Sequence, residues 1–115
     1  MIIYKVVIQL SNNDIAVQKA TISQLNNILN AFEAIEVELV MNGAGIDLLL
    51  SETLYQNTLA GLHDKGIQFV VCKNTLNHRN LSTSSVLAFA RIVPSAIAHL
   101  ILRQHEGWSY IKAGF

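Results

Sequence analysis

A single cysteine, Cys72, carries the most evident chemistry in this sequence. It ends an apolar run, residues 67–72, that is typical of a buried strand, and a short helical pattern begins at Asn74. Backbone N–H groups and the helix dipole lower the pKa of a thiol at such a junction, and Lys73 adds a positive charge beside it. The position therefore predicts a reactive thiolate. The alternative is a buried cysteine that acts only as a small hydrophobic side chain.

Polar segments follow each of the first four predicted strands, at residues 11–13, 42–45, 72–74 and 94–95. They should meet at one edge of the sheet, because ligands of open α/β sheets bind outside the carboxyl ends of the strands. An edge rich in amide N–H groups at helix starts suits a small anion or a thiolate. The candidate ligand-binding residues at this edge are Asn42, Gly43, Gly45, Lys73, Asn74 and Ser95, with Cys72 as the candidate catalytic residue.

Nucleotide and metal patterns are weak in this chain. Gly43 and Gly45 form the first half of a dinucleotide-binding fingerprint, but Leu48 stands where the third glycine belongs. The turn is therefore interpreted as one that needs glycine backbone freedom. No histidine pair has metal-ligand spacing, and one cysteine excludes multi-cysteine zinc or redox motifs. We expect neither a metal nor a cofactor.

Acid–base groups are also sparse near the predicted edge. His78, six residues after Cys72, is a candidate base or electrostatic partner for the thiol. Glu36 and Glu38 alternate with apolar residues, which predicts a strand with one solvent-facing side at its start. No two carboxylates are placed for general acid–base catalysis.

The elements that must position these residues alternate between strand and helix. Predicted strands cover residues 2–10, 35–41, 67–72, 89–93 and 108–112. Asn12 or Asn13 is the expected N-cap of the first helix, and Pro94 fits the first turn of the last one. Such alternation predicts right-handed crossovers, and therefore an α/β fold with a mainly parallel five-stranded sheet and helices on both faces.

Length and charge bound the class of protein. The 115 residues predict one domain, residues 1–115. Eight basic residues balance eight acidic ones, which argues against a nucleic-acid partner. Only 14% of residues are charged, so we expect another subunit to cover part of the apolar surface. No apolar run is long enough to span a membrane and no secretory signal is visible, which predicts a cytoplasmic protein.

Four segments together resemble the DsrE/DsrF-like family, and in particular its small stand-alone branch: residues 41–46, 66–76, 93–95 and 106–111. The resemblance implies a three-layer α/β/α fold, assembly into trimers or hexamers, and intracellular sulfur trafficking in which a cysteine carries sulfur as a persulfide. It places Cys72 at the family's cysteine position, with Asn42 and Asn74 lining the same pocket.

The leading hypothesis is thus a carrier or acceptor of persulfide sulfur that acts through Cys72. With one cysteine per chain, the thiol that discharges the persulfide must come from a partner protein, a neighbouring subunit or a small thiol. Two alternatives stay open. One is a non-catalytic oligomeric binding or assembly module, and the other is a small-anion or nucleotide-binding domain without enzymatic activity.

Overall fold

The computed structural model describes residues 2–115, which form five strands and four α-helices. In chain order these are β1 (Tyr4–Leu10), α1 (Ile15–Ala31), β2 (Ile35–Met41), α2 (Gln56–Asp64), β3 (Ile67–Cys72), α3 (Lys73–His78), β4 (Arg91–Val93), α4 (Ala96–His105) and β5 (Ser109–Lys112). Two 3₁₀ helices, Gly43–Leu49 and Thr83–Ser85, complete the connections.

The sheet is parallel throughout, and its strand order is β4-β3-β2-β1-β5. From β1 to β4 the chain steps in one direction, so right-handed crossovers place α1, α2 and α3 on one face. After β4 the chain reverses to reach β5 beside β1, and the same handedness places α4 on the opposite face. The predicted three-layer α/β/α fold is confirmed, with α4 alone as one outer layer.

Two hydrophobic clusters lie on the two faces of the sheet. The larger one packs the first three helices and the 3₁₀ segments against side chains such as Leu39 and Phe69. The smaller one joins the sheet to α4 and consists of Val7, Val40, Val70, Cys72, Val93, Ala96 and Leu100, with Trp108 packed against it. Alternate residues of one strand serve alternate faces, so Val71 belongs to the first cluster and Cys72 to the second.

Two helix starts differ from the predictions. Asp14, rather than Asn12 or Asn13, caps α1, because its carboxylate accepts the amides of Ala16 (2.8 Å) and Val17 (3.3 Å). Ser95 caps α4 through the amide of Ala98 (3.2 Å). Pro94 therefore precedes the cap instead of lying in the first turn of the helix.

Three strands are shorter than predicted. β1 begins at Tyr4 and β5 at Ser109, while β4 begins at Arg91 rather than at residue 89. Phe89 lies outside the sheet because its ring packs on Phe69 (5.6 Å between centroids). The bounds of β2 and β3 are as predicted. In the described chain, residues 2–115, no helix is long and apolar enough to cross a membrane.

Candidate functional site

Cys72 lies at the carboxyl end of β3, next to β4, the strand after which the chain crosses to the other face of the sheet. It ends β3 and pairs in register with Val93, the last residue of β4. The helix that follows β3 packs on one face, whereas α4, which follows β4, packs on the opposite face. The carboxyl ends of β3 and β4 therefore flank the topological switch point, which is the usual ligand crevice of an open α/β sheet.

The sulfur of Cys72 is buried but has polar partners. The residue is 6% exposed and packs among aliphatic side chains of the α4 cluster. Its Sγ accepts a hydrogen bond from the backbone amide of Ala96, the first residue of α4, at 3.3 Å. The amide of Asn74 also donates to the carbonyl oxygen of Pro94 (3.2 Å), which ties the two strand ends together across the crevice.

These contacts favour the thiolate. Burial raises the pKa of the Cys72 thiol, but the hydrogen bond from the Ala96 amide, together with the polar groups of Thr75 and the amide of Asn74 at the start of α3, outweighs burial. The net result is a pKa below the ordinary value of 9.0. The reactive thiolate stays a prediction, the amides of Asn74 and Thr75 are the expected N–H groups after Cys72, and Ala96 and the hydroxyl of Thr75 were not expected.

Thr75 connects the sulfur to the glycine turn. Its Oγ1 accepts the amide of Gly43 at 3.1 Å, and its hydroxyl is also among the groups that lower the pKa of the Cys72 thiol. An acceptor lone pair held by Gly43 leaves the hydroxyl proton available for donation. Gly43 can take this position because it adopts a left-handed backbone conformation (φ +54°), which glycine tolerates without strain.

A surface cavity of about 540 Å³ begins beside Thr75. Asn74 and His78 also line it, and its far wall is an ion pair between Arg79 and Asp47 (2.7 Å). Burial raises the pKa of Asp47, but hydrogen bonds from Asn13 and Arg79 outweigh burial and lower the pKa. The cavity is therefore an open surface groove in which the charges of Arg79 and Asp47 are paired with each other, and Cys72 is not among its lining residues.

The amides of the two predicted glycines already donate hydrogen bonds within the protein. The amide of Gly43 donates to Thr75, and the amide of Gly45 donates to the carbonyl oxygen of Asn42 (3.0 Å). Gly45 is buried, and a Cβ there would lie 2.0 Å from the carbonyl oxygen of Leu10. Neither amide is thus available to the sulfur, and Ala96 and Thr75 hold that position instead.

The other predicted residues divide into those at the cavity and those away from it. Asn74 lines it, as Gly43 does. Asn42 accepts a hydrogen bond from Gln9 (3.2 Å), and Ser95 uses its side chain to cap α4. Lys73 begins α3 and is half-buried. His78 is exposed at the cavity mouth, and the hydrogen bonds that lower the pKa of the thiol come from other residues.

A buried charged cluster on the α4 face was not predicted. Glu38 is 3% exposed, so the expectation that it faces solvent is wrong. Its carboxylate accepts hydrogen bonds from His99 Nε2 (2.7 Å) and from Arg103 Nε (3.0 Å) and Nη2 (2.9 Å). Burial raises the pKa of Glu38, but these hydrogen bonds outweigh it and lower the pKa, while the bond to Glu38 raises the pKa of Arg103. Among residues 2–115, no three His, Cys, Asp or Glu side chains are grouped to hold a metal ion.

The fold and the site define a class: a small doubly wound α/β protein with a hydrogen-bonded thiol at its switch point. The sequence matches the DsrE/DsrF-like family over residues 5–113, nearly its whole length. The chain belongs to that family, as the resemblance indicated.

Solved structures agree with this assignment. The chain is similar to a protein of unknown function from Methanobacterium thermoautotrophicum, with 28% identity, a TM-score of 0.92, and coverage of 95% of this chain and 98% of that one. A conserved protein of unknown function from Bacteroides thetaiotaomicron shares the fold at 14% identity and a TM-score of 0.77, over 94% and 93% of the two chains. No curated protein matches the chain significantly.

Proposed function

We propose that this protein accepts sulfane sulfur on Cys72 and passes it on as a persulfide. The observation that carries the proposal is the hydrogen bonding of its Sγ at the switch point, above all the bond from the amide of Ala96 (3.3 Å). Amide and hydroxyl donors at a sulfur stabilise its anion, and the thiolate is the nucleophile in sulfur exchange. Membership of the DsrE/DsrF-like family supports the same chemistry.

The reaction balances without an added oxidant or reductant. The Cys72 thiolate attacks the outer sulfur of a donor persulfide, the donor S–S bond breaks, and the donor thiolate leaves as a new S–S bond forms on Cys72. A second thiolate then attacks the outer sulfur on Cys72, whose thiolate is the leaving group. This chain has one cysteine, so the second thiol comes from a thiol-bearing partner or a small molecule. We propose the cytoplasm as the compartment, since thiols are kept reduced there.

The cavity beside Thr75 is the proposed route for the donor. Thr75 lines the cavity and also lowers the pKa of the thiol, so we propose that the donor reaches Cys72 by displacing this side chain. Asn74 and His78 at the same wall can hydrogen-bond a polar donor. The small exposure of Cys72, 6%, means that transfer requires such a movement or a persulfide that extends beyond the wall.

The test is direct sulfur loading. The protein is incubated with a low-molecular-weight persulfide, and intact mass is followed with and without a thiol acceptor. We expect a gain of one sulfur atom on Cys72, lost again when the acceptor is added. Cys72→Ser is the matched control and should gain nothing. No gain by the native chain, or an equal gain by Cys72→Ser, contradicts the proposal.

A second candidate is a non-catalytic oligomeric assembly module, and the outer surface of α4 favours it. Ile97, Ile101 and Leu102 are 55%, 52% and 61% exposed there, and the helix forms its layer alone. Clustered apolar side chains of this kind are typical of surfaces that meet another subunit. We propose a homo-oligomer, a trimer or hexamer, whichever of the two functions holds.

Two measurements are needed, one to test the oligomer and one to separate the candidates. The first is native mass, for the wild type and for Ile101→Lys, with Ile15→Lys on α1 as the control for an exposed isoleucine elsewhere. The second is the alkylation rate of Cys72 at neutral pH against a free thiol. A stable oligomer whose thiol is no faster than a free thiol supports the assembly module. A faster, sulfur-loading thiol supports the carrier.

A further inference from the structure

Two partners of Glu38 lie on the helix whose first amide donates a hydrogen bond to the sulfur of Cys72. Ala96, His99 and Arg103 all belong to α4. His99 and Arg103 are four residues apart, so both reach the same carboxylate from one side of the helix. Ala96 begins the helix about 10 Å away from Arg103, at 1.5 Å per residue. Besides its apolar contacts, the helix therefore has polar attachments to the sheet at two places, Cys72 and Glu38.

The attachment at Glu38 is the stronger of the two. Arg103 makes two hydrogen bonds to the two carboxylate oxygens, and His99 adds a third contact of 2.7 Å. Charge-assisted pairs of this forked geometry are among the strongest and most directional in proteins. In contrast, the amide of Ala96 meets a sulfur, which is a weak acceptor. Of the two polar attachments, the one at Glu38 therefore contributes more to the position of the helix over the sheet.

We propose that Glu38 is a positioning residue, which holds α4 at the depth where the amide of Ala96 meets Sγ of Cys72. Glu38 touches neither the sulfur nor the cavity beside Thr75, and it acts through the helix. The proposal takes Cys72 from the proposed function as the reacting group, but it concerns the state of that thiol and not the identity of the sulfur donor.

The loss of the Glu38 charge alone would lower the pKa of Cys72, whereas release of the helix would raise it. Gln68 is the register partner of Glu38 on β3. Cys72 lies four residues further along that strand, roughly 13 Å from Gln68. The groups that face Glu38 are the imidazole of His99 and the guanidinium of Arg103 from α4, and Arg91 from β4 at 4.0 Å. Neutralising Glu38 leaves the two guanidinium groups without this carboxylate, which would favour the thiolate. Release of the helix removes an amide donor, which disfavours it.

The experiment measures the pH dependence of Cys72 alkylation by iodoacetamide in wild type, Glu38→Gln and Glu36→Gln. In Glu38→Gln we expect the midpoint to move to higher pH and the rate at pH 7 to fall about threefold. Loss of one donor lowers the thiolate fraction about tenfold, and the more basic thiolate recovers about threefold in intrinsic reactivity. Glu36→Gln removes the same charge from the same strand and face, beside Lys5, and should leave the profile unchanged.

A second variant keeps the test decisive if Glu38→Gln does not fold. Glu38→Asp retains the charge and withdraws the carboxylate by one methylene, so its midpoint should also rise although the charge is unchanged. A midpoint that is unchanged or lower in a folded variant overturns the proposal. Sulfur loading is measured separately: a shifted midpoint with no loading refutes the carrier function alone, and loading with no shift refutes the role of Glu38 alone.

Discussion

Replacement of Thr75 by valine isolates the side-chain donor at the sulfur. Valine keeps the shape of threonine but removes the hydroxyl, while the amide of residue 75 and the amide of Ala96 stay in place. We expect a higher pKa for Cys72 and slower alkylation at neutral pH. The same change leaves the amide of Gly43 without its acceptor at 3.1 Å.

The magnitude follows from what the hydroxyl touches. A hydrogen bond to a charged acceptor contributes about 1.5–3 kcal/mol, and sulfur is a weak acceptor, so we take the lower bound. A loss of about 1.4 kcal/mol lowers the thiolate fraction about tenfold at a pH below the pKa. The more basic thiolate is about threefold more nucleophilic, which offsets part of that loss. The net fall in rate is about threefold. The amide of Gly43 is half-buried and can donate to water instead, so the loss of its bond to Thr75 lowers the free energy of unfolding by about 1 kcal/mol.

The assay is iodoacetamide alkylation across pH, followed by intact mass, together with urea unfolding of each variant. Thr75→Ser keeps the hydroxyl and loses only a methyl group, so it should retain the midpoint of the wild type. The reasoning is refuted if Thr75→Val and the wild type share one midpoint. It is equally refuted if Thr75→Ser moves the midpoint as far as Thr75→Val does.

Three further predictions concern stability. Gly45→Ala should lower the free energy of unfolding in urea by about 3 kcal/mol or more, because the new Cβ would lie 2.0 Å from the carbonyl oxygen of Leu10. Gly61→Ala is the control: Gly61 lies in α2 and a Cβ there has no atom within 4 Å, so this change should stabilise the fold by about 0.5–1 kcal/mol. Asp14→Ala should cost about 1 kcal/mol, since the cap of α1 is lost; a cost near zero would contradict the cap. The Glu38 pKa lies below 4.5 in the folded chain, so this group stabilises the fold above pH 4.5 and its contribution disappears as pH falls through the lower value. The unfolding free energy of the wild type should therefore fall more steeply than that of Glu38→Gln between about pH 5 and pH 3; parallel curves would contradict this.

The parts of the fold that local pattern determines were predictable. β2 alternates apolar residues with Glu36 and Glu38 and ends before Asn42, β3 is an apolar run that begins after Gly66, and both have the predicted bounds. β4 is different, because Phe89 continues the apolar run but packs against Phe69 instead of joining the sheet. Nothing in the local sequence distinguishes those two uses of an aromatic side chain.

The site was predictable only up to its location. That Cys72 ends a strand at a polar edge follows from the order of residues along one segment. Its donor at Ala96 lies 24 residues further on and depends on how the chain reverses after β4. Glu38 was misjudged for the same reason, since its hydrogen-bond donors His99 and Arg103 come from a helix 61 and 65 residues away.

The crossover from β4 back to β5 also bears on the order in which the molecule matures. β5 pairs with β1, and the amide of Ala113 bonds the carbonyl oxygen of Gln9 (2.8 Å), so the fifth strand completes a sheet begun by the first. The helix that carries Ala96 belongs to the crossover between β4 and β5. Until that crossover packs on the sheet, Cys72 has only the donors of the neighbouring α3 and lacks the amide of Ala96.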